Sequence, residues 1–442
     1  MTSVTRPFPD VALRVVMPWP GVAIRTLGAL MVLMGLPMVA QESTPWQDRL
    51  APLVAKDMKE QGAWAGSLTV VKDGKLLLGS GFGTLLPESE LRVDSTVVFR
   101  WASCTKPLVA EMVNSLVADG RCHLEDRPFQ QWRATGVVPK SVPPEYDAIT
   151  VAHLLAHAGG WDRTKSSDPV FGFPGLEKFV VHPAHVYPWE MIRMVAQHKL
   201  DFPPGTASVY SNFGYVVLAR VIEDATRKRF NECVRDYWHS ALGDDGFDVA
   251  GYASERRLVQ PSYACDDRYP VMIMDGCAGI LASSDSMCRF LDRSYKSRKG
   301  GANVPGIWSF YGSTPGTLSM MIKRLDGISY AYVINARVRA LDEFQKRLDD
   351  AIDRELLGRI NPTENRAMMG AWNFQDGPAS FTLTFDGDLA LNSDGNGGPY
   401  RVNSKTLSLK WRGQPMYDFQ ADASGGYQGV SPTGASIRLR RR

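Results

Sequence analysis

The chain has no strong excess of charge. Its 442 residues carry 50 Lys and Arg against 47 Asp and Glu, a formal +3, so nothing in the balance points to a nucleic-acid partner. The six cysteines include no CxxC pair and the histidines no HExxH, which argues against a zinc ribbon, a thioredoxin-like site and a metalloprotease. No metal or cofactor is expected. No GxSxG elbow is present, and no histidine follows His239. The apolar run TLGALMVLMGLPMVA (Thr26–Ala40) is about 15 residues, short of the roughly 20 needed for a membrane span.

That run follows Arg25 and ends in Pro37 and the small Ala40 before polar QES, the layout of a secretory signal peptide. Residues 1–40 are therefore expected to be a signal peptide, with Met17 a second candidate start, and the mature protein to be periplasmic or secreted without a stable span. No cysteine near the cleavage point suggests lipid attachment. Cys104, Cys122, Cys233, Cys265, Cys277 and Cys288 could pair in an oxidising compartment, but six cysteines allow 15 complete pairings.

Ordinary hydrophobic content of 44% with 22% charged residues supports one large domain and a small one. Trp46–Gln61 reads as a helix, and Gly66–Gly83 as two strands around a DG turn. Leu108, Val109, Met112, Val113, Leu116 and Val117 recur at helical spacing and Gly120 stops that helix. ITVAHLLAHA and GYVVLARVIEDATRKRF are helical stretches between Pro- and Gly-rich loops. LSMMIKRLDGISYAYVIN is a second hairpin, followed by a helix over Leu341–Leu357. Strands at both ends with helices between them predict an α+β fold: an antiparallel sheet flanked by helices, with a helical domain, over residues 41–360. Beyond NPTENR the alternation of Phe381, Leu383, Phe385, then Leu407, Leu409, Trp411, then Ile437, Leu439 predicts a small all-β barrel or sandwich over 361–442. That module has no histidine or cysteine and is expected to be structural or to shield the substrate.

Candidate chemistry begins at SCTK. Ser103 with Lys106 is weak by count, since the pair arises by chance in a chain of this length. Placed at a helix start it gains meaning: positions i and i+3 share a face, and the free N–H groups there stabilise charge developing on oxygen. Lys106 could serve as base only where its surroundings strip its proton near neutral pH. In VYSNFGY, Tyr210 offers a proton-relaying phenol and Asn212 an amide that both donates and accepts. His153 and His157 stand at i and i+4, but packing is the better reading than zinc or a serine triad. Cys104 is expected to pack rather than attack.

In order, SCTK, HLLAHAGGWD, PPGTASVYSNFGYVVLARVIE, GCAGILASS and GSTPGT resemble the serine β-lactamase and penicillin-binding protein superfamily over about residues 47–358, and most of all its class C branch of DD-peptidases, esterases and D-amino-acid peptidases. The resemblance implies an acyl-enzyme on Ser103 with Lys106 as proton acceptor. It further implies that Tyr210 activates the hydroxyl or the attacking water, that Asn212 holds a substrate amide, and that Ser313, after Gly312, supplies an oxyanion-hole N–H beside that of the nucleophile.

One position departs from the family. Where the strand before GSTPGT usually carries Lys or His, then a small residue, then Gly, this chain has Phe310, Tyr311 and Gly312. Lys299 has the right chain order without strand context. The missing cation would normally bind a substrate carboxylate, so the expected function is an esterase or D-amino-acid peptidase acting on a small-molecule or peptide substrate, with β-lactamase activity weak. The alternative is a binding protein of the same fold that lost catalysis through Phe310.

Overall fold

The computed structural model describes residues 45–172, 187–252, 259–263, 271–294, 307–336, 342–358, 366–403, 405–411 and 414–442. Lys299, Cys265 and the proposed signal peptide lie outside them.

Five antiparallel strands form the main sheet: β1 (Ala65–Lys72), β2 (Lys75–Gly83), β6 (Ile307–Thr314), β7 (Thr317–Arg324) and β8 (Ile328–Ile334), in the order β2-β1-β8-β7-β6. Both DG turns form as the sequence predicts. At the first, Asp73 (φ 48°) and Gly74 (φ 81°) are both left-handed, the backbone of the tight turn that matches strand twist. The first and last strands of this sheet in chain order meet where β1 pairs with β8, Gly66 opposite Ile334. Strand β6 is therefore an edge, with one side left for whatever packs there.

Period-two alternation divides the sheet between two cores. Leu68, Val70, Met320, Ile322, Tyr330 and Tyr332 point to one face, covered by the Pro45–Gln61 and Asp342–Leu357 helices. Met321, Ala331 and Val333 point to the other, against the larger helical core that includes the Thr105–Ala118, Asn212–Thr226 and Phe230–Leu242 helices. A smaller sheet of β3 (Phe99–Arg100), β5 (Ile280–Ala282) and β4 (Asp248–Val249), in the order β3-β5-β4, closes the layer next to the site.

Two helices are shorter than the sequence predicts. Within ITVAHLLAHA only Val151–Leu155 is helical, because His157 takes a left-handed φ of 57° and turns the chain. The second stretch stops at Thr226, where Arg227 caps it in the left-handed region (φ 59°), and a new helix begins at Phe230.

The C-terminal module is a closed barrel, β10-β11-β12-β13-β14-β15-β16-β9, with β9 at Gly370–Asp376, β10 at Ala379–Asp386, β11 at Leu389–Leu391, β12 at Gly397–Val402, β13 at Thr406–Lys410, β14 at Met416–Ala421, β15 at Tyr427–Val430 and β16 at Ser436–Arg441. Closure leaves no sheet edge to cover. Leu383, Phe385, Leu407, Leu409, Ile437 and Leu439, alternating in the sequence, fill its core. The barrel is tied to the hairpin β7–β8 by Lys410, whose Nζ lies 2.5 Å from Asp326. Asp326 also pairs with the buried Arg324, which in turn holds Asp349 and Asp353.

Candidate active site

The nucleophile candidate sits on a strained turn. Leaving β3, the chain reverses at Ala102, whose φ is 46°, a conformation costing on the order of 1–2 kcal/mol for a residue with a Cβ. Ser103 is the middle residue of the 3₁₀ turn Ala102–Cys104, and the α-helix proper begins at Thr105. Four contacts hold the turn: Trp101 N donates to Ile280 O (3.0 Å), Trp101 Nε1 to Ala282 O (2.8 Å), Cys104 N to Trp101 O (3.0 Å) and Ser319 Oγ to Trp101 O (2.7 Å).

Lys106, one turn on, is 1% exposed. Its Nζ donates to Ser103 Oγ (3.2 Å), Asn212 Oδ1 (2.7 Å) and Cys277 O (2.9 Å). The last acceptor is a backbone carbonyl that residue-type reasoning had no means of naming. It is set in place by the Asp275–Ala278 turn, where buried Asp275 receives Arg220 Nη2 at 2.7 Å and Tyr252 Oη at 3.0 Å. Gly276 lets that turn close on the Asn212–Thr226 helix, since a Cβ there would stand 2.3 Å from Tyr215 O.

Tyr210 and Asn212 come from the start of that helix. Ser211 is its N-cap, accepting from Gly214 N at 3.1 Å, which satisfies one orphan N–H. Tyr210, just outside, donates from Oη to Ser103 Oγ at 2.9 Å. Asn212, just inside, turns Oδ1 to Lys106, while its Nδ2 (3.1 Å) and backbone N (3.0 Å) both donate to Asp168 Oδ2. Ser103, Lys106, Tyr210 and Asn212 thus form one connected cluster, but both ends of the Asn212 amide are engaged by the protein.

His157 has a place the sequence did not suggest. It makes no hydrogen bond to Ser103. Its ring stacks on Tyr210 (centroids 4.8 Å, 32°) and its Nδ1 accepts from Ser211 N at 3.2 Å. Burial, then the charge of Lys106, push its pKa down to about 4, so the ring under Tyr210 is neutral at pH 7. His153 closes a capping box with Thr150, a structural task. Among the described residues no group of three or more side chains could hold a metal ion.

Strand β6 forms the opposite wall. Gly312 faces the turn that carries Ser103, and Ser313, next along the edge, is exposed. Phe310 shares Gly312's face, pairs in register with Met321 and stacks at 25° on Trp308, with centroids 6.2 Å apart. This wall is aromatic at the position where the resemblance implies a lysine or histidine. Cys104 is inert: burial pushes its thiol up to about 12, and Sγ lies 3.5 Å from Phe310 O. Cys104, Cys122, Cys233, Cys277 and Cys288 are all buried free thiols.

A serine on a turn between the β3–β5–β4 layer and the sheet edge, with a lysine one turn on and a tyrosine from a helical domain, on an antiparallel sheet flanked by helices, defines the fold class. The Beta-lactamase family model matches residues 50–318, and the chain belongs to that family, with the serine β-lactamase and penicillin-binding protein fold. It is 31% identical over 153 residues, 34% of each chain, to the probable fimbrial assembly protein FimD, serogroup H1, of Dichelobacter nodosus. The chain spans about a third of the length of the curated relatives it matches. Among solved structures it is similar to the octameric penicillin-binding protein homologue from Pyrococcus abyssi (TM-score 0.54, 16% identity, 89% of this chain and 99% of that one). It is similar also to the D-amino acid amidase from Ochrobactrum anthropi SV3 (TM-score 0.53, 18% identity, 71% and 100%). At these identities the likeness is one of fold. No helix among the described residues is long and apolar enough to cross a membrane.

Proposed function

We propose that the protein is an exported serine hydrolase that cleaves an ester or amide through an acyl-enzyme on Ser103. The observation that carries the reading is the double contact on Ser103 Oγ, 3.2 Å from Lys106 Nζ and 2.9 Å from Tyr210 Oη. A candidate base within hydrogen-bond reach of a hydroxyl, itself oriented by further groups, is the general signature of an activated nucleophile.

Lys106 suits the role of proton acceptor. Once it has given up a proton it keeps two N–H donors, for which Asn212 Oδ1 and Cys277 O are the acceptors in place, and its lone pair then faces Ser103 Oγ. The serine proton passes to Nζ as Oγ bonds to the substrate carbonyl carbon. Tyr210 gives its phenolic proton to the leaving oxygen or nitrogen; in the second half the tyrosinate takes a proton from the attacking water, and Lys106 gives the serine proton back to Ser103 Oγ as the acyl group leaves. The N–H of Ser103 and that of Ser313 receive the oxyanion, each such donor being worth a few kcal/mol. No cofactor enters.

Phe310 supports an uncharged substrate. Beside Trp308 it offers apolar contact and no partner for a carboxylate, so simple esters and amides, including D-amino-acid derivatives, fit better than penicillins. The test is steady-state turnover of a nitrophenyl ester, a D-amino-acid amide and a penicillin by the secreted protein and by Ser103→Ala. Serine-dependent turnover favouring the uncharged ester is expected. No turnover of any of the three would leave a binding protein as the better reading.

A further inference from the structure

Asp168 has no counterpart among the motifs that mark the site, yet it lies against it. It sits before the helical turn Pro169–Gly172 and is 5% exposed. Its Oδ1 accepts from Val170 N at 3.1 Å, which folds the loop back on itself. Its Oδ2 accepts two hydrogen bonds from one residue, Asn212 N at 3.0 Å and Asn212 Nδ2 at 3.1 Å.

The second pair has a chemical consequence. A carboxamide has one donating and one accepting end, of nearly equal size, and can sit either way round. An ionised carboxylate accepts only. Facing Asp168, Asn212 must therefore present its NH₂, and its oxygen is left pointing at Lys106 Nζ, 2.7 Å away. Reversed, the amide would set N–H groups against the lysine and remove one of the two acceptors that orient it. The backbone N–H of Asn212, a first-turn group with no intrahelical partner, is bound to the same oxygen, so helix start and side chain are fixed together.

We infer that Asp168 is a positioning residue for acylation, acting on Lys106 through Asn212 by fixing the orientation of the Asn212 amide. This rests on the acyl-enzyme reading of Ser103. It also turns the Asn212 oxygen to the lysine, with one of the two amide N–H groups held by Asp168.

The test is a double-mutant cycle on the rate of Ser103 phosphonylation by a fluorophosphonate at saturating concentration, which needs the same activated oxygen and releases fluoride, with Asp168→Asn, Asn212→Ala and the pair. Asn at 168 has both donor and acceptor and no longer selects one amide orientation. Misplacing a reacting group by about 1 Å costs on the order of 10²-fold, so Asp168→Asn should slow the saturated rate by roughly 10- to 100-fold while the half-saturating concentration holds. In the Asn212→Ala background the same change should have no further effect, because the group it acts through is gone. An equal loss in both backgrounds would overturn the inference and make Asp168 a loop-folding residue. If Asp168→Asn does not fold, Asp168→Glu, which keeps the charge and displaces it by one methylene, runs through the same cycle with the same two outcomes. Absence of any adduct in the unmodified protein would instead refute the acyl-enzyme reading itself.

Discussion

Gly312 on β6 lies directly against the backbone of Ser103: a Cβ added to it would stand 2.9 Å from Ser103 N and 2.4 Å from Trp101 O. The absence of a side chain is what lets the sheet edge close on the turn that carries Ser103. Gly312→Ala should push β6 outward and open the space between the two proposed oxyanion donors. Because β6 is an edge strand, the fold should survive. A loss of roughly 10²-fold in ester turnover is expected, with the circular dichroism spectrum retained; unchanged turnover would show that the edge does not shape the site.

Phe310→His tests the substrate wall. An imidazolium in place of the ring adds a charge-assisted hydrogen bond of about 1.5–3 kcal/mol to a carboxylate, equivalent to roughly 10- to 100-fold. The ratio of kcat/KM for a carboxylated substrate over a neutral ester should rise, and rise more at pH 6 than at pH 8, since the ring must be charged. A fall on carboxylated substrates would show that Phe310 does not occupy that position.

Much of this arrangement is legible in the sequence, for local reasons. Both hairpins follow from DG turns and the pairing of Ser103 with Lys106 from one visible helix start, whereas the meeting of that pair with Tyr210, 107 residues on, is legible only through the ordered motifs that resemble the family. The barrel's apolar positions were readable by alternation, while its closure depends on β16 pairing with β9, Leu439 opposite Phe374, a long-range register that no local pattern encodes. Cys277 contributes a carbonyl, so its side-chain type carries no signal. Asp168 is one aspartate among many in a Ser-Ser-Asp-Pro loop, and only tertiary contact distinguishes it. The spacing of His157 suggests packing, and its ring lies against Tyr215 and against Tyr210, which touches Ser103.

His157 should also make stability depend on pH. Burial and the charge of Lys106 hold its pKa at about 4, against roughly 6.5 in an unfolded chain. The unfolded state takes up the proton first as pH falls, so this contribution is complete above about pH 6.5 and is lost toward pH 4. His157→Phe retains a ring under Tyr210 and removes the titration. Urea unfolding across that window should show the natural protein losing stability relative to the variant; parallel curves would mean that His157 is not held neutral.

Lys410 joins the barrel to the five-stranded sheet through Asp326. Burial alone would raise the Asp326 carboxyl, but Arg324 and then Lys410 hold it at about 2. Lys410→Met removes one partner from a buried ion network, a change that typically costs 3–5 kcal/mol. Urea unfolding should show a loss of about 3 kcal/mol, with ester turnover by the folded fraction retained. Unaltered stability would show that the barrel is held by its other contacts.

The central claim is that Ser103 Oγ, between Lys106 and Tyr210, becomes acylated. Its most direct test is intact mass after exposure to a fluorophosphonate, a nitrophenyl ester and a β-lactam, followed by peptide mapping, with Ser103→Ala as control. The account predicts a single covalent adduct on Ser103, formed more readily with the fluorophosphonate and ester than with the β-lactam, and lost in the variant. An adduct that persists in Ser103→Ala, or none with any of the three reagents, would contradict it.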